Sequence, residues 1–378
     1  ETVRLMHTTM QMLGRVAIIG GTVLVSLANV AMFSGAESLS EPEKVAIYVR
    51  IYELALLIPL LSVSGVLLAG WLKRREARRL RALGRSRAEI DRLVHAPAET
   101  TAPNWWILGG SAAFVAITLT VGLSGLEFGQ ELIFVSSFTI IAFMIRKLLR
   151  ELSPEAARTL LGTVVVIFVF RAMPGAGAGA SWWMIDELGF DQSFLSRLDL
   201  ITSTLTLAGL FLFRRFMAEK SIAHIVIFLT LASALLSAPI IGMFHGLHEW
   251  TAAHTGGVVD ARFIAIANTA LESPLGQVSM VPMLAWIANS APPHLKATFF
   301  AVMASFTNLA LSASQLGTKY LNQVFTVTRE VRDATTGAVS VPADYGELGL
   351  LLLSVTLLGL LLPLAAVGLT RLAGLRSA

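Results

Sequence analysis

The chain has no cysteine and few charged residues, and both scarcities limit what it can be. Of its 378 residues, 14% are Asp, Glu, Lys or Arg and 55% are hydrophobic, whereas a soluble protein carries about 25% charged residues. The lack of cysteine excludes thiol chemistry, cysteine metal ligands and a disulfide-stabilised secreted fold. Neither a GxxxxGK[ST] nucleotide-binding loop nor an HExxH metalloprotease motif occurs. This composition, together with the apolar runs described next, excludes a soluble enzyme and a nucleic-acid-binding domain.

The hydrophobic residues form runs of about 20 residues, the length that a helix needs to cross a bilayer. A lone apolar strand would leave its amides unpaired in lipid, so each run is predicted to be helical. Ten runs meet this description: residues 11–34, 48–71, 105–126, 130–147, 158–184, 193–213, 219–243, 262–290, 296–318 and 346–370. The sequence therefore predicts an all-α polytopic membrane protein with about ten transmembrane helices.

Basic residues are concentrated on one side of these spans. Nine Lys and Arg residues lie between positions 73 and 95, and the turns on the same side add more, as at Arg146 and Arg214. The opposite connections are acidic, as at Glu127 and Asp186. The positive-inside rule then places both termini in the cytoplasm, in a cell inner membrane. Within the basic cytoplasmic segment, 73–103, arginines recur at helical spacing, which indicates a basic helix on the anionic leaflet.

One histidine-rich segment offers a weak metal site. His245, His248 and His254 lie beside Glu249 in an outward loop, and two histidines three residues apart plus a carboxylate can bind zinc. A solvated loop that happens to be rich in histidine explains the same pattern. We expect no bound metal, no cofactor and no enzymatic activity, because no recognisable catalytic pair is present.

Polar side chains inside the spans are the candidate functional residues, because in lipid they are costly and usually face a cavity or a partner. They are Arg171, Asp199, Asn268, Glu272, Gln277, Asn308 and Gln315. Arg171 lies about 13 residues into its span, close to the midplane at about 1.5 Å per residue, and Glu272 reaches a similar depth from another helix. In one interpretation the two form a neutralising pair that only holds helices together. In the other, Arg171 binds an anionic substrate and Glu272 takes up and releases a proton.

Two of the spans contain residues that disfavour a continuous helix. Pro174 is followed by Gly175, Gly177 and Gly179 in the fifth span, and the eighth span contains Pro274 and Gly276. Because proline removes a helical hydrogen bond and glycine lowers helix stability, the fifth span is expected to kink or unwind here, and the eighth repeats the pattern. Close helix packing explains such small residues, and so does a broken helix that lines or gates a binding site.

Several motifs between residues 164 and 322 resemble folate-biopterin transporters, a branch of the major facilitator superfamily. Five stretches carry the resemblance: 170–174 (FRAMP) with 187–195 (ELGFDQSFL) for that family's seventh helix and following turn, 276–282 (GQVSMVP) for its tenth, and 297–305 (ATFFAVMAS) with 315–317 (QLG) for its eleventh. The resemblance implies twelve helices in two six-helix halves around a midplane site. Residues 1–150 would then be an incomplete first half of about four helices, residues 151–378 the second half, and two helices would be missing before residue 1.

From the residues and this resemblance, we expect a secondary transporter that works by alternating access and carries an organic anion, such as folate or a pterin, with protons. Arg171 would attract the carboxylate. Asn268, Gln277, Asn308 and Gln315 would supply hydrogen bonds in the cavity, and Glu272 and Asp199 are candidate proton carriers. The protein is expected to be a monomer in the lipid bilayer with no nucleic-acid partner. Two alternatives remain open: a transporter of the same fold for an unrelated small molecule, and a non-transporting assembly or pigment-delivery protein.

Overall fold

The fold is built almost entirely of helices. The computed structural model describes residues 2–35, 39–94, 103–292, 295–333 and 335–375. Its helices are α1 (Thr2–Phe33), α2 (Glu41–Ala55), α3 (Leu57–Ala82), α4 (Arg87–Val94), α5 (Trp105–Leu123), α6 (Gly129–Leu149), α7 (Pro154–Arg171), α8 (Ala178–Asp186), α9 (Gln192–Leu212), α10 (Arg214–Glu219), α11 (Ile222–Phe244), α12 (Leu247–His254), α13 (Ala261–Glu272), α14 (Met280–Ser290), α15 (Lys296–Val324) and α16 (Leu348–Leu372). Two short antiparallel strands, β1 (Val331–Arg332) and β2 (Val339–Val341), lie between α15 and α16.

Eight helical segments within the described residues are long and apolar enough to cross a membrane. They run over Thr8–Phe33, Pro42–Ala82, Trp105–Leu123, Gly129–Leu149, Gln192–Leu212, Ile222–Phe244, Lys296–Val324 and Leu348–Leu372. Each coincides with one of the ten predicted spans. The chain is therefore an all-α polytopic membrane protein, as its sequence predicts.

The two remaining predicted spans, 158–184 and 262–290, are interrupted helices. The first is divided into α7 and α8, and the second into α13, a 3-10 turn at Ser273–Leu275, and α14. Capping residues fix where they begin: the Ser153 hydroxyl accepts a hydrogen bond from the Ala156 amide before α7, and an Asp260 carboxylate oxygen accepts one from the Phe263 amide before α13. The expected interruptions after Arg171 and after Glu272 are both confirmed.

The chain folds into two compact units, residues 28–103 and residues 1–27 with 104–378. In the smaller unit, the predicted basic segment is helical: α3 continues to Ala82, and α4 follows after a turn at Gly84. Residues 95–102 of that segment lie outside the described residues. The two sequence halves, 1–150 and 151–378, remain a prediction.

The larger unit contains the main apolar core. Leu148 of α6, Val166 of α7, Ile287 of α14 and Phe299 of α15 are almost fully buried in one cluster, to which α11 contributes Val226. This cluster packs α6, α7, α11 and α15 against α14. It therefore fixes the positions from which the interrupted helices extend.

A surface cluster attaches the segment between α15 and α16, which contains β1 and β2, to the end of α8. Two nitrogens of the Arg329 guanidinium donate to the two oxygens of Asp186, at 3.1 and 2.8 Å, and the Tyr345 hydroxyl donates to one of them. These hydrogen bonds lower the pKa of the Asp186 carboxyl below its usual value. Burial and the hydrogen bond to Asp186 raise the pKa of Tyr345 to about 12. The loop after α15 and the second part of the first interrupted helix are thus held together.

Candidate functional site

The first interruption is irregular backbone between α7 and α8 that hydrogen-bonds to one face of α15. Gly177, with a φ of 76°, adopts a conformation that favours glycine. Three side chains of α15 pair the free backbone groups: Ser314 Oγ donates to the Met173 carbonyl at 2.6 Å, Thr318 Oγ1 accepts from the Gly175 amide at 2.9 Å, and Asn322 Nδ2 donates to the Ala176 carbonyl at 3.2 Å. Positions four residues apart share one helix face. Since unpaired backbone groups are costly in lipid, this polar face of α15 stabilises the break.

The second interruption, after Glu272, packs against α9. The Thr206 hydroxyl of α9 donates to the buried Ser273 carbonyl at 2.9 Å. A Cβ atom added at Gly209, one turn further along α9, would fall on the backbone carbonyl of Pro274. Glycine at this position therefore permits the close approach of α9 to the turn.

Arg171 is half-buried at the end of α7 and reaches both α14 and α15. Its Nε donates to the Thr307 carbonyl at 3.4 Å, and a terminal nitrogen lies 3.7 Å from the Met280 sulfur. Both acceptors are uncharged. In the part of the chain that the structure describes, no carboxylate oxygen lies within 4.0 Å of its guanidinium. The ion pair with Glu272 is therefore not formed, and the positive charge of Arg171 is uncompensated.

Arg15, on α1, is a second intramembrane arginine near this position. Arg15 and Arg171 carry charge of the same sign, so any interaction between them is repulsive. Its helical neighbours Met12 and Ile19 are buried in an apolar cluster that also contains Phe170, the residue before Arg171. A charge inside the first apolar run was the available sequence signal for Arg15, but sequence alone does not show which distant helix it meets.

Glu272 lines a cavity of about 290 Å³ between α7, α11, α13 and α16. Phe170, Thr230, Ser233 and Ser279 also line it. Among the described residues, the Glu272 carboxylate has neither a hydrogen-bond donor nor a cationic partner. An intramembrane carboxylate in this setting is well placed to bind a proton, because neutralisation removes a charge from an apolar surrounding.

Asn308 and Gln315 line two adjoining cavities between α5, α6 and α15. The first, of about 330 Å³, contains Asn308. The second, of about 950 Å³, contains Gln315 and is also walled by Gly177 and the start of α8. Ser137 and Ser312 line both cavities, and the two together are called the groove below. The structure does not test the predicted hydrogen bonds from Asn308 and Gln315 to a substrate, but it places both amides in the wall of this groove.

An ion pair lies at one end of this groove and joins α6 to α15. Lys319 Nζ is 2.6 Å from Glu131 Oε1, and the Tyr320 hydroxyl donates to the same oxygen at 2.8 Å. Lys319 itself lines the larger cavity. Sequence reasoning missed this pair, because Lys319 stands at the edge of a predicted span and gives no signal about its partner.

The other candidate residues lie apart from the groove. Asn268 is buried on α13 beside a fourth cavity, of about 480 Å³, and its Oδ1 has no hydrogen-bond donor among the described residues. Gln277, in the second interruption, has a buried Oε1 without a donor there. Asp199 is exposed on α9. The seven predicted residues therefore do not form one cluster: Arg171, Gln277 and Glu272 flank the two interruptions, whereas Asn308 and Gln315 line the groove.

The chain is similar to known membrane transporters. The sequence profile of the BT1 family matches residues 60–371. The folate-biopterin transporter of Synechocystis is 29% identical over 153 residues, which are 40% of this chain and 30% of that protein. Folate transporter 2 of Plasmodium falciparum is 27% identical over 159 residues, 42% of this chain and 33% of that protein. The matched region thus spans about a third of the length of these relatives. No solved structure matches the chain at a significant level.

Proposed function

Because this chain belongs to the BT1 family, we propose that it is a secondary transporter that carries an organic anion, such as folate or a pterin, across the membrane. The relatives named as folate or folate-biopterin transporters support this substrate class. The carrying observation is Arg171, an uncompensated positive charge at the break of an interrupted helix. A guanidinium presents a fixed fork of donors that fits a carboxylate.

In the proposed site, Arg171 binds the carboxylate and side-chain amides form hydrogen bonds with the rest of the substrate. Gln277 lies in the second interruption, and Asn308 follows Thr307, whose carbonyl accepts from Arg171. A buried amide without a partner is costly, and a substrate group that paired it would remove that cost. Asn268 and Gln315 line the neighbouring cavities and would contact substrate on its path.

Transport is proposed to follow alternating access, with residues 1–150 and 151–378 as its two halves. The Glu131–Lys319 ion pair joins α6 of one half to α15 of the other at an end of the groove. Opening at that end requires the pair to separate. Interrupted helices suit such a movement, because their ends can shift without stretching a continuous hydrogen-bond ladder.

Proton coupling is assigned to Glu272, with Asp199 as the second candidate. Glu272 is the stronger of the two, because it lines a cavity next to the interruption and lacks a charged partner among the described residues. Protonation would neutralise it in one state and release a charge in the other. We further propose that the protein is a monomer in the cell inner membrane, with both termini of the chain in the cytoplasm.

Uptake into proteoliposomes tests the assignment. Labelled folate, biopterin, an amino acid and a sugar would be compared with and without a proton gradient. We expect the proton gradient to drive uptake of folate or biopterin and not of the amino acid or the sugar. Folate uptake should be at least about tenfold slower in Arg171→Gln. In Glu272→Gln, uptake should no longer depend on pH. Arg215→Gln is the matched control, because Arg215 is exposed on α10 and pairs only with Glu219.

Three results would overturn the proposal, each at a different level. Uptake of the sugar or amino acid, but of neither pterin compound, would indicate a transporter for another substrate. Absence of any flux, with a partner protein or a pigment retained after mild purification, would indicate a non-transporting membrane protein. Normal folate uptake in both variants would remove the assigned residues while leaving the transport class intact.

A further inference from the structure

Arg15 and Arg171 are two arginines from distant parts of the chain that share one apolar surrounding. Arg15 lies within the first long apolar helix, and Arg171 ends α7. Met12, Val16 and Ile19, the helical neighbours of Arg15, pack in the same cluster as Phe170, the neighbour of Arg171. Val278 and Val281, from the second interruption and α14, belong to that cluster as well. Packing alone therefore brings α1 to the two interruptions.

Both arginines carry a positive charge in this apolar surrounding, and the described residues supply no carboxylate to neutralise either one. Neither guanidinium has an ion pair with a described carboxylate, and the acceptors of Arg171 are a carbonyl oxygen and a thioether sulfur. Glu272, the last residue of α13, is the acidic residue closest in sequence to the second interruption. It lines a cavity and does not pair with either arginine. Two unpaired like charges in an apolar region are unfavourable unless a bound anion compensates them.

We propose that Arg15 and Arg171 form one anion-binding site, which takes a substrate portion with two carboxylates. Two guanidinium forks match two carboxylate groups better than one, since each fork can donate two parallel hydrogen bonds. This inference rests on the proposed function, which needs only Arg171. It adds that Arg15 of α1 is a specificity-determining residue that favours dianionic over monoanionic or neutral ligands.

Three related ligands differ in the number of carboxylates they carry, so together they separate the contributions of the two arginines. Folate ends in a glutamyl group with two carboxylates, pteroate keeps a single carboxylate, and biopterin has none. The intact protein in proteoliposomes would be assayed with each ligand for Arg15→Gln, Arg15→Lys and the exposed control Arg215→Gln. We expect Arg15→Gln to raise the KM for folate about tenfold. We expect it to change the KM for biopterin less than about twofold, and Arg15→Lys to recover part of the loss.

A second readout keeps this test independent of transport. Thermal unfolding in detergent would be followed with 4-aminobenzoylglutamate, which has the two carboxylates without the pterin ring. Stabilisation of the wild type that is lost in Arg15→Gln and in Arg171→Gln supports the site even if no ligand is transported, in which case only the proposed function fails. Equal weakening of all three transported ligands in Arg15→Gln, or absence of stabilisation by the dicarboxylate, would overturn the two-arginine site.

Discussion

Prolines occur both in the interrupted helices and in two continuous ones, and the two settings differ in what surrounds them. Pro239 lies inside α11 and Pro363 inside α16, and both helices continue past the proline. Pro174 and Pro274 lie where α7 and α13 have ended. Proline therefore does not by itself break a membrane helix in this chain.

The difference lies in the neighbouring helices. Beside the first break, α15 presents hydroxyl and amide groups that pair the backbone from Met173 to Ala176. Beside the second break, α9 presents Thr206 and the bare backbone of Gly209. α11 and α16 instead pack against each other along apolar surfaces. An interruption inside a membrane is thus a tertiary property, which needs a partner helix that binds the freed backbone groups.

The largest expected effect comes from closing the space beside the second break. Gly209→Ala places a Cβ on the Pro274 carbonyl, and because that carbonyl is backbone, relief requires α9 to move. We expect a loss of about 3 kcal/mol in unfolding free energy, at the upper end of the usual range for overpacking. The control is Gly359→Ala on α16, where an added Cβ meets nothing within 4 Å. Equal melting temperatures for the two variants would contradict the role given to Gly209.

A smaller effect is expected from removing one of the hydrogen bonds that hold the first break. Thr318→Val keeps the side-chain shape but leaves the Gly175 amide without its acceptor. We expect a loss of about 1 kcal/mol, the usual net contribution of one hydrogen bond, and faster hydrogen exchange at Gly175. Thr356→Val is the control, because the Thr356 hydroxyl bonds only to Leu352 in its own helix. If both variants lose the same stability, the polar face of α15 has no special role.

The prolines themselves are expected to matter less than their partners. Pro174→Ala should change the unfolding free energy by less than about 1 kcal/mol, since Gly177 and the side chains of α15 still hold the break. Pro239→Ala should instead stabilise the protein by about 1 kcal/mol, because α11 is already helical there and alanine restores a missing hydrogen bond. Thermal unfolding of the two variants measures both. A larger change in Pro174→Ala than in Pro239→Ala would assign the break to proline after all.

The smallest effect concerns the surface cluster at the end of α8. Because the pKa of Asp186 is lowered in the folded state, its ionised form contributes stability above the ordinary aspartate pKa, and this contribution is lost as pH falls through the lowered value. Wild type and Arg329→Gln should therefore differ slightly in melting temperature at neutral pH and converge in acid. A difference that stays constant into strong acid would exclude the ionised pair as its cause.

Tyr345 gives a spectroscopic check on the same cluster. Its pKa of about 12 means that the folded protein binds this proton more tightly than the unfolded chain. The contribution to stability is then complete below the ordinary tyrosine pKa and is lost as pH rises toward 12. The phenolate absorbance that disappears in Tyr345→Phe should titrate near that value. Titration at the ordinary pKa of tyrosine would show that the hydrogen bond to Asp186 is absent.

Much of this arrangement could be predicted from the sequence, and the rest depends on helix rotation and distant contacts. Hydropathy located the membrane-spanning segments, and proline with glycine located both interruptions, because these signals are local. Asn268 and Glu272 are four residues apart on α13, yet they line different cavities. Arg15 is far from Arg171 in sequence, and only the packing of α1 shows that their neighbours share one apolar cluster. Which side chains meet is decided by tertiary packing, which no single span encodes.

α15 links the groove to the first break. Its Ser314, Thr318 and Asn322 hydrogen-bond to the broken backbone, and its Asn308 and Gln315, together with Thr318 and Asn322, line the groove. A helix moves as a rod over this length, so a molecule that displaces α15 from the groove also pulls on the backbone next to Arg171. Filling the groove would in this way change the position of a charge that the occupant does not touch.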